Sequence, residues 1–178
     1  VGGGSSIGRI SYAARRPGYA EAYKKDRPKR LDELHPEIMS PEMFVSFQHD
    51  NKSERSLLDW QSESGQVNFK DTNSKKSYPQ KRWKQIVYTK IKNSDGLIVV
   101  NGEKTAKSEA VHYEIETAHA LNKPVIGMHA SSKGSYPVPE TMRKNGDTVI
   151  NWDLDRLQTE IDEKVTFSKG DNDESKEE

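Results

Sequence analysis

Glu114 is the residue of this 178-residue chain best placed to do chemistry. Val111, Ile115, Ala118 and Leu121 recur at helical spacing around it, and at about 100° per residue Glu114 falls inside their apolar stripe while Glu109 and Glu116 point elsewhere. Ala110 and Ala118, roughly one turn to either side, are small enough to leave a cleft beside it. A carboxyl group on the buried face of a helix is partly desolvated, so its pKa rises and it can exchange protons near neutrality. Ionised, it can stabilise or capture the oxocarbenium-like species formed when a bond between ribose and a nitrogen base breaks, as carboxylates do in glycoside hydrolysis. The competing arrangement is a carboxylate at the helix edge, paired with Lys107 two turns earlier.

Other reactive constellations are weaker. His112, Glu116 and His119 share a face at i, i+4 and i+7, a spacing that can hold a metal, but a solvated helix face explains it equally well. No metal is therefore expected. His112-Tyr113-Glu114 matches half of a zinc deaminase signature whose paired cysteines the chain lacks. Gly2-Gly3-Gly4 follows no strand, and Gly-x-x-x-x-Gly-Lys-Ser/Thr does not occur, so phosphate-loop chemistry is rejected. A phosphoacceptor receiver domain would need an aspartate where Val100-Asn101 stands.

Two apolar runs flank the Glu114 helix. Gly96-Leu97-Ile98-Val99-Val100 and Pro124-Val125-Ile126-Gly127-Met128 read as parallel strands covered on both faces, joined by a helix from about Lys107 to Asn122. Upstream, Met43 to Phe47 reads as a strand, followed by a helix opened by Asn51 with Glu54 in the capping-box position. A short strand at Val67-Asn68-Phe69 leads to a polar loop ending at Pro79, which opens a helix carrying Trp83, Ile86, Val87 and Ile91. A loop from Ser131 to Pro139 precedes a last strand at Thr148-Val149-Ile150, and Asp153 caps a final helix bearing Leu154, Leu157 and Ile161. Strands alternating with helices give an α/β fold: a flavodoxin-like, doubly wound five-stranded parallel sheet in a three-layer α/β/α arrangement. Ligands bind such sheets beyond the carboxyl ends of the strands, where the loops after Phe47, Phe69, Val100 and Met128 converge.

Composition bounds the rest. The first 35 residues hold eight Lys/Arg against four Asp/Glu, and the last eleven hold five acids against two lysines. The expected organisation is a basic, flexible extension over 1–40, one folded domain over 41–167 and an acidic disordered tail over 168–178. Tyr12, Tyr19 and Tyr23 interleave with arginines and lysines in the basic arm, a mixture seen in nucleic-acid binders, but a solvated extension is the expected reading. With no cysteine, disulfides, thiolate catalysis and Cys-containing zinc sites are excluded. No apolar run approaches the ~20 residues of a membrane span, and a cytoplasmic setting is expected.

Phe44-Val45-Ser46-Phe47, Phe69-Lys70-Asp71, Lys90-Ile91-Lys92-Asn93-Ser94 and Ser108-Glu109-Ala110-Val111-His112-Tyr113-Glu114-Ile115 together resemble the TIR-like family of bacterial Thoeris-type antiphage systems. The likeness spans about Met43 to Ala130 and implies a TIR-like fold with Glu114 as the catalytic glutamate that cleaves the nicotinamide N-ribosidic bond of NAD. It further implies that Ser46, Phe47, Asp71, Asn101 and Ser108 bind substrate, with Asp71 in the loop after the second strand. NAD is then a substrate, no cofactor is required, and an ADP-ribose-type product signals to an effector protein in antiphage defence. Self-association into a homo-oligomer is part of the same expectation.

Ala110 stands where that family carries tryptophan, which supports an alternative, a non-catalytic TIR-like adaptor. Ser94 to Val100, Glu114 and Ala118 to Ile126 also look like nucleoside deoxyribosyltransferases, a third reading with the same kind of bond and the same glutamate.

Overall fold

The computed structural model describes residues 40–73 and 78–170. β1 (Glu42–Phe47) leads through a 3-10 turn (His49–Asn51) into α1 (Lys52–Glu63), and β2 (Lys70–Asp71) is followed by α2 (Trp83–Asn93). β3 (Gly96–Asn101) leads through a second 3-10 turn (Thr105–Lys107) into α3 (Glu109–Ala120). β4 (Val125–His129), α4 (Glu140–Asn145), β5 (Thr148–Ile150) and α5 (Leu154–Gly170) complete the order. The five strands form one parallel sheet in the order β2-β1-β3-β4-β5, the flavodoxin-like order expected.

Alternation along the strands builds two cores. Val45, Ile98, Val100, Ile126, Met128 and Ile150 pack with Leu58 of α1 and Leu157, Ile161 and Val165 of α5. On the opposite face Phe44, Leu97, Val99 and Val125 pack with Val87 and Ile91 of α2, Val111, Ile115 and Ala118 of α3, and Met142 of α4. All six residues of β3 are buried, which is why that strand reads as a continuous apolar run. Each large side chain buried in this way contributes roughly 1.5–3 kcal/mol. The same alternation puts Ser46, Asn101 and His129 on the α2/α3/α4 face, the face α3 covers.

The structure departs from expectation at four places. The second strand is Lys70–Asp71, so Asp71 lies in the strand and not in the loop after it. Val67 and Phe69, the apolar residues that suggested a strand there, are buried in the α1/α5-side core as the chain enters the sheet. The Asn51 side chain makes no cap bond, and the Gln48 side chain instead accepts from the Asp50 N–H at 2.6 Å to open the 3-10 turn. Pro79 stands ahead of α2, which starts at Trp83.

Finally, α4 lies between the expected loop ending at Pro139 and the strand at Thr148, where the sequence suggested no element. Gly127 makes room for it, since a Cβ there would come within 2.8 Å of the Met142 Cε. Asp153 does cap α5, its carboxylate accepting from the Arg156 N–H at 3.0 Å. That helix runs through Gly170, while the basic arm over 1–39 and the acidic run over 171–178 lie outside the described residues.

Candidate functional site

Glu114 is buried, with 8% of its surface exposed. α3 holds it there: Ser108 caps the helix by accepting from the Val111 N–H at 3.4 Å, and Val111, Ile115 and Ala118, all fully buried, press the stripe onto the sheet. Its partner comes from β1. Ser46, also fully buried, donates its hydroxyl hydrogen to the Glu114 Oε2 at 2.5 Å. The other carboxyl oxygen has no hydrogen-bond partner among the described residues, and the Lys107 pairing does not form. Burial pushes the Glu114 carboxyl up to about 7, against the Ser46 hydroxyl, which favours the ionised form. At neutral pH the group is therefore divided between acid and carboxylate.

Ser46 stands one residue before the carboxyl end of β1, in register with Val99. Two residues further along β3, at the strand's end, Asn101 is fully buried and in register with His129 of β4. The Asn101 Nδ2 donates to the His129 Nδ1 at 3.1 Å and to the Tyr136 carbonyl at 3.4 Å. The Tyr136 N–H donates to the same imidazole nitrogen at 3.2 Å. Because a backbone N–H can only donate, the His129 Nδ1 must accept, and the neutral ring carries its hydrogen on Nε2.

The remaining sequence-derived residues divide. Phe47, half-buried, alternates to the other sheet face, where the Arg55 guanidinium lies 5.3 Å from its ring centroid. Asp71 is structural in its contacts: it pairs with Arg55 at 2.5 Å and accepts from the N–H groups of Asn73 at 2.7 Å and Val45 at 3.3 Å. Burial raises its pKa more than Arg55 and the Asn73 N–H lower it. Ser108 acts as the cap of α3. The structure thus brings Glu114 and Ser46 into contact, sets Asn101 on the same sheet face, and turns Phe47 and Asp71 toward Arg55.

His112 and His119 do not converge with Glu116. The two ring nitrogens of His112 lie 2.8 Å from the Ala106 carbonyl and 3.1 Å from the Thr141 hydroxyl, and His119 lies 2.9 Å from Asp147. Among the described residues no group of three or more His, Cys, Asp or Glu is disposed to hold a metal ion.

Sequence reasoning missed His129, Tyr136 and the Asn51–Thr105–Gly102 cluster that braces the loop between β3 and α3. The Thr105 hydroxyl accepts from the Gly102 N–H at 2.9 Å and donates to the Asn51 Oδ1 at 3.3 Å. Gly102 is required there, because a Cβ would meet the Asn51 amide at 2.1 Å. A signal for His129 was present: a histidine immediately follows an apolar strand at the sheet edge where ligands bind.

Residues 44–135 match the family model for the Thoeris protein ThsB, TIR-like domain, a span of more than half the chain. No curated protein matches the chain. The parallel sheet, its strand order and this match together place the chain in the TIR-like domain family of the Thoeris protein ThsB.

Proposed function

We propose that this chain is a TIR-like enzyme that cleaves the nicotinamide N-ribosidic bond of NAD, with Glu114 as the catalytic carboxylate. The observation that carries the reading is a buried glutamate, pushed up to about 7 and hydrogen-bonded to Ser46, near the carboxyl edge of a parallel sheet. A carboxyl with that pKa is ionised in a large fraction of molecules near neutrality. In a desolvated setting its charge acts strongly on a developing cation.

In the reaction the C–N bond breaks, its electron pair leaves with nicotinamide, and positive charge spreads over C1′ and the ring oxygen of the ribose. Ionised Glu114 opposes that charge, and Ser46 fixes one carboxylate oxygen so that the other can face the sugar. Water then closes the reaction, giving ADP-ribose and a proton; an internal nucleophile gives a cyclised product, and an acceptor molecule a conjugate. The product serves as the signal to an effector protein in antiphage defence, and catalysis needs self-association.

A second reading, a TIR-like adaptor without activity, draws on Ala110, which is exposed where the family's tryptophan is expected. Incubating concentrated protein with NAD, and separately with a deoxynucleoside plus free base, and following base release by chromatography decides among the readings. Nicotinamide release by the natural chain, abolished in Glu114→Gln, supports the NAD enzyme. Base exchange supports the deoxyribosyltransferase, and neither activity leaves the adaptor.

A further inference from the structure

Tyr136 has its backbone gripped by two side chains. Its N–H is taken by the His129 Nδ1 and its carbonyl by the Asn101 Nδ2, so adjacent ends of β3 and β4 fix the loop between β4 and α4 as a strand partner would. The His129 and Tyr136 rings are also tilted against each other with centroids 6.2 Å apart. The grip leaves two polar atoms over. The Asn101 Oδ1 is buried without a hydrogen-bond partner among the described residues, a rare condition in folded proteins that calls for a partner. The His129 Nε2–H, fixed as a donor by the role of Nδ1, likewise has none among them.

One acceptor and one donor therefore stand on the sheet face that holds Ser46 and Glu114. With strands ~4.8 Å apart and ~3.3 Å per residue, the Asn101 Cα lies ~8 Å and the His129 Cα ~12 Å from that of Ser46. Those separations fall within the reach of the second half of an extended dinucleotide. A sugar hydroxyl, able to donate and accept, complements both leftover atoms.

We infer that Asn101 and His129 form a second subsite of the proposed cleft, holding the Tyr136 backbone as a wall and binding a hydroxyl-bearing half of the substrate remote from the scissile bond. The inference rests on the NAD-cleaving reading, and the subsite sets the preference for a dinucleotide over a mononucleotide. His129 is a binding and positioning residue here and takes no part in bond breaking.

The test compares NAD with nicotinamide mononucleotide, which lacks the remote half, in the natural chain, His129→Asn and His129→Leu. Asparagine places an oxygen near the position of the imidazole Nδ1, so it keeps the wall and removes the Nε2–H donor; leucine removes both. The expected result for His129→Asn is a threefold to tenfold rise in KM for NAD, the scale of one lost hydrogen bond, with kcat and mononucleotide kinetics nearly unchanged.

Exchange of the Tyr136 amide hydrogen should remain slow in His129→Asn and become fast in His129→Leu. An unchanged preference for NAD in His129→Asn would overturn the subsite while leaving the NAD-cleaving reading intact. Should the natural chain release no nicotinamide, titration with ADP-ribose reads the subsite by itself: weaker binding by His129→Asn sustains it, and equal or absent binding by both proteins overturns it.

Discussion

Ser46 and Glu114 meet across 68 residues of sequence, a strand hydroxyl donating to a helix carboxyl at 2.5 Å inside the protein. The contact joins β1 to α3, and it opposes the effect of burial on the one carboxyl group on which the proposed chemistry depends. Burial raises the pKa and the hydroxyl restrains the rise, so removing either has an opposite and measurable effect.

Replacing Ser46 by alanine should move the Glu114 pKa upward by about one unit, the scale of a hydrogen bond to a charged group. If ionised Glu114 is the working form, the limb of the pH–rate profile that rises through about 7 in the natural chain shifts to higher pH in the variant. A profile of kcat/KM against pH for both proteins, with NAD as substrate, checks this.

Glu114→Gln should stabilise the fold at alkaline pH while abolishing nicotinamide release. The folded pKa lies above the ordinary 4.5, so the native state binds the proton more tightly and this group's contribution to stability is fully present below 4.5. That contribution is lost as pH rises toward about 7, and above it the ionised group costs the natural chain up to about 3 kcal/mol that glutamine does not incur. Urea midpoints of the two proteins should therefore diverge with increasing pH; parallel curves would show that the carboxyl is not desolvated.

Asp71→Ala should destabilise the protein by about 3–5 kcal/mol, because it leaves the buried Arg55 guanidinium without its carboxylate. The N–H groups of Val45 and Asn73 lose an acceptor as well. Chemical denaturation measures the loss directly. A variant that kept its stability and lost only substrate affinity would instead assign Asp71 to the binding site.

Gly102→Ala should cost about 1–3 kcal/mol through overpacking against Asn51. Combining it with Asn51→Gly, which vacates the space, should recover part of that cost, giving a non-additive double-mutant cycle. Additive losses would mean that the loop shifts without pressing on Asn51.

Periodicity carried much of this architecture. β1, β3, β4 and β5 and the buried placement of Glu114 all follow from apolar spacing, since a stripe that packs on a sheet carries its polar member with it. β2 was displaced because Val67 and Phe69 are buried just ahead of the strand, and burial alone cannot distinguish a strand from the chain leading into one. The six-residue α4 is too short to show a helical period, and its seat depends on Gly127 beneath Met142, a contact between elements.

The partners of the site were hidden for the same reason. Ser46 was expected at the substrate, but its contact with Glu114 exists only once β1 and α3 are brought together. The Asn101–His129 pair likewise depends on strand register. Phe47 and Asp71 were drawn toward the site by family resemblance, and their contacts with Arg55 depend on strand alternation and on the approach of α1, which no spacing displays.

Asp71 and Asn73 do for Val45 what His129 and Asn101 do for Tyr136. The Asp71 carboxylate accepts from the Val45 N–H, and the Asn73 amide donates to the Val45 carbonyl at 2.7 Å, so side chains continue the ladder where the two residues of β2 stop. An intruding strand would find these main-chain groups of β1 already engaged. Where β2 stops, β1 is thereby closed at Val45 to β-augmentation with little strand to do it.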